Sequence, residues 1–394
     1  MAELFDVAVV GGGPSGCLVA SSLASQGWRV VILERRRAGE VDPCCTGIVG
    51  RPYLDRIPGA DGLVLASARS AYLISPSNRR LHVAASDNQA FVLDRALLER
   101  RLRRDAAEAG ARLREGLVTR VRLAPEGCEA CVAGPDGADT VLSRALVIAA
   151  GVSPGLLLHA GLKMPSRHMV GAHAEVEMDG VDETEVYLLP DLAPGAFAWL
   201  VPTGSHTVRL GVLSRTSAAR ITRGFLGRPG VRTRLRQPVA RVLQRPVPVA
   251  VSTRMHAARV LAVGDAAGQV KPTTGGGLFL GAMGADAAAA VLDVALRKDD
   301  LSAEGLSSYD ARWRSEFGDE LRRGAFARAA YVRLSAHHVD RIVETAERSG
   351  VADRLLRSSS FSFDYHSGAL LSGLLRCLPL ALLPSLSGRS EARP

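Results

Sequence analysis

A glycine-rich turn near the start of the chain constrains the fold more than any other feature of the sequence. Residues 6–10 form an apolar run rich in valine, which is typical of a strand buried in a parallel sheet. Gly11, Gly13 and Gly16 follow at the spacing G-x-G-x-x-G, which permits a tight turn, a close approach of backbone to ligand and close helix packing. The segment therefore predicts a strand that leads through a ligand-binding turn into a helix.

The residues after this turn complete a unit that binds a nucleotide. A helical pattern covers residues 17–26, and an apolar strand over residues 29–33 ends at Glu34. The helix N-terminus favours a pyrophosphate, because its free N–H groups and its dipole attract anions. Glu34 can accept a hydrogen bond from the hydroxyl groups of an adenosine ribose, and Arg35 lies directly beside it. The sequence therefore predicts a dinucleotide site at this edge of the sheet.

A second signal, far along the chain, indicates which dinucleotide is bound. An apolar strand over residues 259–263 leads into Gly-Asp-Ala-Ala, in which Asp265 follows the end of the strand. A carboxylate in this place can accept a hydrogen bond from a ribityl hydroxyl group. Gly275, Gly276 and Gly277 then open an alanine-rich helix and can bring backbone N–H groups to a pyrophosphate or a flavin ring. The two segments together favour FAD over NAD.

Three segments of the sequence resemble the geranylgeranyl reductase family of FAD-dependent oxidoreductases, which is related to the aromatic hydroxylases and halogenases. Residues 264–277 resemble the Gly-Asp segment of that family, and residues 45–47 resemble its cysteine-x-glycine motif beside the flavin. Residues 197–202 resemble its substrate-domain motif, which reads aromatic-x-Trp-x-aliphatic-Pro. The resemblance covers residues 1–330 and becomes diffuse in the last sixty residues of the chain.

The resemblance implies an α/β fold with a doubly wound, Rossmann-like FAD-binding domain, an inserted antiparallel β-rich substrate domain and a helical C-terminal region. We expect the FAD-binding domain to be non-contiguous and to comprise residues 1–165 and 257–297. Polar and apolar residues alternate between these two segments, which predicts an antiparallel sheet for the substrate domain over residues 166–256. A helical pattern predicts the C-terminal region over residues 298–394.

The resemblance also implies a set of site residues. Cys45 is the candidate catalytic residue, beside the flavin ring. Phe197, Trp199 and Pro202 are the candidate substrate contacts. The expected FAD contacts are Gly11, Gly13, Ser15, Gly16, Glu34, Arg35, Cys45, Thr46, Gly47, Arg95, Val118, Asp265, Gly275, Gly276, Gly277 and Leu278.

The role of Cys45 is open at this stage. Reduction of an isolated double bond requires a hydride on one carbon and a proton on the other, and no carboxylate or histidine stands out as the acid. Cys45 could donate the proton, or it could be a small apolar side chain packed against the flavin. Because Cys44 precedes it, either thiol could face the ring, although the position before Thr46 favours Cys45.

The function that the family resemblance implies is hydride transfer from reduced FAD to carbon–carbon double bonds of an isoprenoid chain. A geranylgeranyl lipid, geranylgeranyl diphosphate and the prenyl tail of a menaquinone are the expected substrates. NADPH and reduced ferredoxin are both open as electron donors, so a donor protein is a further candidate partner.

Two other functions are weighed against this prediction. A flavin-dependent halogenase should have a tryptophan at Ala196 or Phe197 and a lysine near the substrate, and none of the three lysines lies in the matching region. A related monooxygenase is disfavoured, because the Asp-Gly motif of the hydroxylases is replaced over residues 150–153. A flavoprotein that relays electrons to a quinone would usually use an iron–sulfur cluster, and the cysteine spacing for one is missing, so no metal site is expected.

Composition sets the remaining expectations about partners and location. The formal net charge is +9, but the arginines that dominate it are scattered, so nucleic-acid binding is not expected. No uncharged apolar run has the length of a membrane span and no secretory signal is visible, which predicts a cytoplasmic protein. The leucine-rich residues 368–386 could lie on the inner face of the cell membrane, roof a lipid channel or form an ordinary buried helix.

Overall fold

The computed structural model describes residues 3–37, 40, 44–135, 137–356 and 362–382, which form strands, helices and two short 3-10 turns. The strands are β1 (Leu4–Val10), β2 (Val30–Glu34), β3 (Ile48–Val49), β4 (Val64–Ala68), β5 (Ser70–Ile74), β6 (Arg80–Ala84), β7 (Ala90–Leu93), β8 (Arg112–Glu115), β9 (Leu117–Ala124), β10 (Gly127–Gly134), β11 (Gly137–Ile148), β12 (His168–Glu177), β13 (Thr184–Leu188), β14 (Phe197–Pro202), β15 (Thr207–Ser214), β16 (Leu243–Pro248), β17 (His256–Ala257) and β18 (Val260–Ala262). The helices are α1 (Pro14–Ser25), α2 (Arg51–Leu54), α3 (Arg95–Glu108), α4 (Pro154–His159), α5 (Ala218–Leu226), α6 (Pro229–Arg232), α7 (Leu278–Arg297), α8 (Ser308–Val332), α9 (Ala336–Ser349), α10 (Val351–Leu356) and α11 (Ser367–Leu382).

A parallel sheet forms the centre of the fold, with its strands in the order β18-β11-β1-β2-β8. β2 is buried at every position, as expected for a strand that is covered on both faces. The predicted strand, helix and strand of the first 34 residues are β1, α1 and β2. The helix begins three residues earlier than predicted, at Pro14. Proline is tolerated in the first turn because an N–H group there has no partner within the helix.

A second, mainly antiparallel sheet lies beside this domain, in the order β16-β12-β15-β14-β13-β5-β6. Five of its strands come from residues 168–248, within the predicted substrate segment. The other two, β5 and β6, come from residues 70–84 and join the sheet through parallel pairing of β5 with β13. The substrate side of the molecule is therefore built from two stretches of chain, and the proposed boundary at residue 166 stays a prediction.

The C-terminal helices pack against both sheets. Trp313 and Phe317 of α8 are buried in the main core, which also contains the parallel strands and α7. α11 contacts α8 and α9, and its Cys377 is buried in a small cluster with Val339 and Val343 of α9.

Two segments bear on the question of a membrane. Within the described parts of the chain, α7 alone is long and apolar enough to cross a membrane, but 67% of its apolar window is buried inside the protein, as in a core helix. The leucine-rich stretch predicted over residues 368–386 corresponds to most of α11, and its last four residues lie outside the described residues.

Candidate cofactor-binding and active site

A cleft of about 490 Å³ lies at the carboxyl ends of β1, β2 and β11. This is where an open α/β sheet binds its ligand, because the loops after the parallel strands meet there. The predicted FAD contacts that line the cleft are Gly11, Gly13, Ser15, Glu34, Arg35, Cys45, Arg95, Val118, Asp265, Gly275, Gly277 and Leu278. The other four lie next to it, with Gly16 beneath the turn and Thr46, Gly47 and Gly276 in the wall of a second cavity. The contribution of each residue to binding stays a prediction.

The glycine turn can take this shape only without side chains. A Cβ on Gly16 would lie 2.0 Å from the carbonyl oxygen of Gly11, so the helix could not approach the turn as closely as it does. Gly11 has a φ of +109°, and its Cβ would lie 2.4 Å from the carbonyl oxygen of Ala149 on the neighbouring strand's loop. A Cβ on Gly13 would meet no atom within 4 Å, which leaves its backbone open to the cleft and to a bound pyrophosphate.

Glu34 is held as a carboxylate at one end of the cleft. Its Oε2 accepts a hydrogen bond from the N–H of Gly12 at 2.6 Å, and its Oε1 accepts two from Arg36, at 2.9 and 3.1 Å. Burial alone would raise the pKa of Glu34, but these hydrogen bonds and the charge of Arg36 lower it below its usual value. A carboxylate has about four acceptor positions, so Glu34 can still accept a ribose hydroxyl at Oε2.

Asp265 lies at the opposite end of the cleft and has an unfilled capacity to accept hydrogen bonds. No described residue donates a hydrogen bond to its carboxylate, although Gly277 approaches so closely that a Cβ there would lie 3.0 Å from Oδ1. Burial raises its pKa, and the nearby charges of Arg95 and Arg245 act in the opposite direction. Asp265 is partly exposed to the cleft and no described donor occupies its oxygens, so this carboxylate fits a ligand that brings hydroxyl groups, as the ribityl chain of FAD does.

Arg95 is fixed between the two ends of the cleft. It opens α3, which is capped by Asp94, whose Oδ1 accepts the N–H of Leu97 at 2.9 Å. Its Nη2 donates to Glu99 at 2.7 Å, whereas its buried Nε has no partner among the described residues. Burial lowers the pKa of Arg95, but the charges of Cys45, Glu99 and Tyr53 outweigh it, so the pKa is raised. The guanidinium therefore stays charged and has a donor available at the wall of the cleft.

A second cavity, of about 340 Å³, adjoins the cleft and is lined mostly by apolar side chains. Phe197 and Trp199 of β14 both line it, with their rings 5.4 Å apart, whereas Pro202 at the end of the same strand does not. The cleft and the cavity share Cys44, Cys45, Arg245, Val247, Gly275, Gly277 and Leu278 in their walls. A planar group that reaches the inner end of the cleft would therefore border the apolar cavity, and both cysteines lie at that boundary.

The aromatic wall of the apolar cavity depends on a glycine of the neighbouring strand. The indole of Trp199 lies directly over Gly211, where a Cβ would approach to 2.0 Å. Its Nε1 donates to Thr46 Oγ1 at 2.7 Å. The buried Arg209 donates to the carbonyl oxygens of Thr46 and Leu93, each at 2.8 Å. The second sheet is thereby fastened to the Cys45–Gly47 segment, and Arg209 is a positioning residue that the sequence did not reveal.

A lysine in the wall of the apolar cavity was also missed by the sequence analysis. Lys271 makes a buried ion pair with Asp364 at 3.0 Å and donates to the carbonyl oxygen of Phe363 at 3.0 Å. The lysine before Pro272 in an otherwise apolar segment was a visible signal. Its partner was not, because Asp364 lies 93 residues away in the region where the family resemblance is diffuse.

The first prediction concerns Glu34. Glu34→Gln should weaken FAD binding by about tenfold to a hundredfold, because a hydrogen bond to a charged group contributes about 1.5–3 kcal/mol. Because its pKa is lowered, Glu34 is still ionised at the ordinary carboxyl value of about 4.3, and its contribution to FAD binding is lost at lower pH, as the pH falls through the lowered pKa. Flavin fluorescence titration measures the Kd.

A matched control for this variant is Glu115→Gln. Glu115 pairs in register with Glu34 on the adjacent strand β8, yet it does not line the cleft. Its substitution should leave the Kd for FAD unchanged. Equal effects of the two substitutions would show that Glu34 has no particular role in binding.

The second prediction concerns Gly211. Gly211→Ala should lower the free energy of unfolding by about 1–3 kcal/mol, because the added Cβ displaces Trp199 and breaks its hydrogen bond to Thr46. Gly204→Ala, in the turn between the same strands, is the control, since its Cβ would lie at an ordinary 3.6 Å from Thr207. Guanidinium unfolding followed by tryptophan fluorescence gives both values. A Gly211→Ala protein as stable as the wild type would contradict the described position of the indole.

Comparison with known proteins agrees with this geometry. Residues 5–323 match the model of the family described as FAD binding domain. Digeranylgeranylglycerophospholipid reductase 1 of Methanopyrus kandleri is 30% identical over 383 residues, which cover 91% of this chain and 98% of that protein.

Solved structures share the fold over almost the whole chain. A geranylgeranyl bacteriochlorophyll reductase-like protein from Thermoplasma acidophilum superposes with a TM-score of 0.85 at 21% identity, covering 97% of this chain and 98% of that one. The flavin-dependent brominase Bmp2 superposes with a TM-score of 0.69 at 16% identity, covering 95% and 98%. These findings confirm the predicted fold class and FAD as the cofactor. The chain belongs to the FAD-binding-domain family of flavoproteins and is an FAD-dependent oxidoreductase of the geranylgeranyl reductase type.

Proposed function

We propose that the protein saturates carbon–carbon double bonds in the isoprenoid chain of a geranylgeranyl lipid. The observation that carries this proposal is the apolar cavity, which opens at the inner end of the cofactor cleft and shares Cys45 and Gly275 with it. An isoprenoid chain has no polar groups, so an apolar cavity is the environment that it would enter. The Methanopyrus kandleri relative is named for the same class of substrate.

The residues of the chain have separable parts in this reaction. When bound, FAD would supply the hydride. The glycine turn, Glu34 and Asp265 would hold the cofactor in the cleft. Phe197 and Trp199 provide an apolar wall that excludes water from the reacting carbons. Cys45 lies where the two cavities meet, and its Sγ accepts a hydrogen bond from the N–H of Gly47 at 3.4 Å.

The alternative of a halogenase or monooxygenase is disfavoured by the same wall. The two positions where a halogenase should carry a tryptophan hold Ala196, which is fully buried, and Phe197, which faces the cavity. Lys271 does line the cavity, contrary to the expectation that no lysine lies near the substrate, so it is the two tryptophan positions that disfavour a halogenase. An electron relay to a quinone would use the same kind of apolar cavity, and the product distinguishes the two functions: a relay reduces the quinone ring, whereas the proposed enzyme saturates the isoprenoid chain.

The surface of the C-terminal helices supports a location at a membrane. Leu370 and Leu375 of α11 and Phe326 of α8 are exposed large apolar side chains, and Arg376 is exposed beside Leu375. These side chains belong to two helices that pack on one another. An apolar surface with adjacent arginines suits the headgroup region of an anionic bilayer. We therefore propose a cytoplasmic enzyme that works at the inner face of the cell membrane.

The test of the proposed function is a single-turnover reaction without air. Dithionite reduces the holoprotein directly, which removes the need to know whether NADPH or reduced ferredoxin is the donor. A digeranylgeranyl glycerophospholipid, geranylgeranyl diphosphate and menaquinone are then offered separately. We expect mass spectrometry to show the geranylgeranyl lipid gaining two hydrogen atoms for each bond reduced. Reduced flavin that leaves all three compounds unchanged, or that oxidises rapidly in air with a hydroxylated or halogenated product, would contradict the proposal.

A third prediction concerns the two cysteines at the boundary. Cys45→Ala should lower turnover by about tenfold to a hundredfold with FAD retained, because misplacing the reacting atoms by about 1 Å has an effect of that size. Cys44→Ala is the matched control, and its effect should be smaller, since the sequence predicts that Cys45 faces the ring. Single-turnover rates and flavin content, measured on the same preparations, separate catalysis from cofactor loss. Unchanged turnover in Cys45→Ala would remove Cys45 from the mechanism.

A further inference from the structure

A buried lysine stands close to the boundary between the cofactor cleft and the apolar cavity. Lys271 lines the cavity, and its side chain is only 4% exposed. Its Nζ lies 3.7 Å from the place that a Cβ on Gly276 would take, and Gly275 and Gly277 on either side of that residue border both cavities. On the basis of the function proposed above, we propose that Lys271 is the acid that supplies the proton when a double bond is reduced.

The backbone of the glycine loop fixes Lys271 in this place. Its N–H donates to the carbonyl oxygen of Gly276 at 3.0 Å, and its own carbonyl oxygen accepts from the N–H of Gly275 at 2.9 Å. The loop is thereby closed on Lys271, and the helix α7 begins immediately after it. The backbone of Lys271 is therefore held at the glycine loop, and its contacts with Asp364 and Phe363 hold the side chain.

The partners of the ammonium group leave one of its protons available. Nζ donates to Asp364 Oδ1 and to the carbonyl oxygen of Phe363, and it lies 4.3 Å from the centre of the Phe363 ring. These described partners account for two of the three N–H bonds of an ammonium. Because Lys271 forms part of the cavity wall, we assign the third N–H bond to a group inside the cavity.

Burial and the surrounding charges act in opposite directions on Lys271, and their net effect makes it a stronger acid than an exposed lysine. Burial lowers the pKa of Lys271 below its usual value, while the carboxylates of Asp364 and Glu320 act in the opposite direction. His366 is the third titratable group beside it, and burial together with the charge of Lys271 lowers the pKa of His366 to about 4. His366 is therefore neutral: its Nδ1–H donates to the carbonyl oxygen of Phe363 at 2.7 Å, and its Nε2 accepts from Thr273 at 2.7 Å.

The other titratable side chains in the wall of the cavity are Cys44, Cys45, Arg69, His173 and Arg245. His173, on β12, is the competing acid, and His173→Gln measured beside Lys271→Arg distinguishes the two. Arg69 and Arg245 line the cavity, but a guanidinium keeps its proton at any pH the protein experiences. Cys45 lies at the boundary, where its sulfur accepts a hydrogen bond from Gly47. In the proposed step Cys45 borders the reacting atoms, whereas Lys271 contributes a proton and a fixed charge.

Reduction of one double bond consumes one hydride and one proton. The π bond of the alkene is lost and two C–H bonds form. One carbon takes the hydride that reduced FAD supplies, with dithionite as the source of electrons in the assay, and the other carbon takes a proton from Nζ. The N–H bond breaks and leaves its electron pair on nitrogen, so Lys271 becomes a neutral amine. Water returns a proton to it after the product leaves.

Direct observation of the lysine side chains tests the proposal without any turnover. The chain contains only Lys163, Lys271 and Lys298, so labelling of lysine with ¹³C at Cε gives three signals whose shifts follow the protonation of each Nζ. In the holoprotein we expect one signal to titrate below the other two and to be missing from Lys271→Arg. Three signals that titrate together near about 10.4 would overturn the proposal.

The pH dependence of single turnover provides the kinetic test. An acid must be protonated to act, so the wild-type rate should fall as the pH rises through the pKa of Lys271. Lys271→Arg keeps a cation for Asp364 but cannot release its proton, so the rate should fall by about a hundredfold or more and the alkaline decline should disappear. FAD affinity and Tm should stay near the wild-type values. Lys298→Arg, at the end of α7, is the control and should behave as the wild type.

A second variant tests whether a slow rate could come from an unpaired buried charge that destabilises the protein. Lys271→Met combined with Asp364→Leu removes both charges, so no unpaired charge is buried, and it should also be slow with FAD retained. If Lys271→Arg keeps a rate within threefold of the wild type and the same alkaline decline, Lys271 only positions residues 362–367 and the proposal fails. An inactive wild type with normal flavin reduction would instead contradict the proposed function, and the lysine titration would still be measurable.

Discussion

The close contact between the first turn and the neighbouring strand is the constraint on which the rest of the structure depends. Gly16 lies against the carbonyl oxygen of Gly11, and Gly11 lies against that of Ala149, at distances that no Cβ could occupy. The contact brings the N-terminus of α1 to the carboxyl edge of the sheet, where Glu34 and Asp265 define the two ends of the cleft. Without it, the backbone at Gly13 would not be open to a pyrophosphate.

A smaller set of contacts couples the second sheet to this cleft. Trp199 and Arg209 both bind the backbone or side chain of Thr46, beside the cysteine pair. Lys271 and Asp364 hold residues 362–367 against the glycine loop from the other side. The apolar cavity is the space between these two attachments, and its position at the inner end of the cleft follows from them. The cofactor cleft and the apolar cavity are therefore positioned by the same set of contacts.

The sequence predicted the parts of this arrangement that are encoded locally. The glycine turn, Glu34 and Asp265 could be identified because each lies at the end of an apolar strand, within a few residues of its own signal. The ion pair of Lys271 with Asp364 and the entry of β5 and β6 into the second sheet could not, since they join residues far apart in the chain. Pro202 is the last residue of the strand that carries Phe197 and Trp199, but strand alternation puts it on the opposite face, so it does not line the cavity.

The central claim is that a flavin ring and an isoprenoid chain meet at the boundary formed by Cys45 and the glycine loop. A crystal structure of the protein with FAD and a saturated geranylgeranyl lipid tests it directly. The account predicts the ring between Cys45 and Gly275, with the chain in van der Waals contact with Phe197 and Trp199 and with Lys271 Nζ facing the reacting carbons. A chain bound elsewhere, with the apolar cavity filled by water, would contradict it.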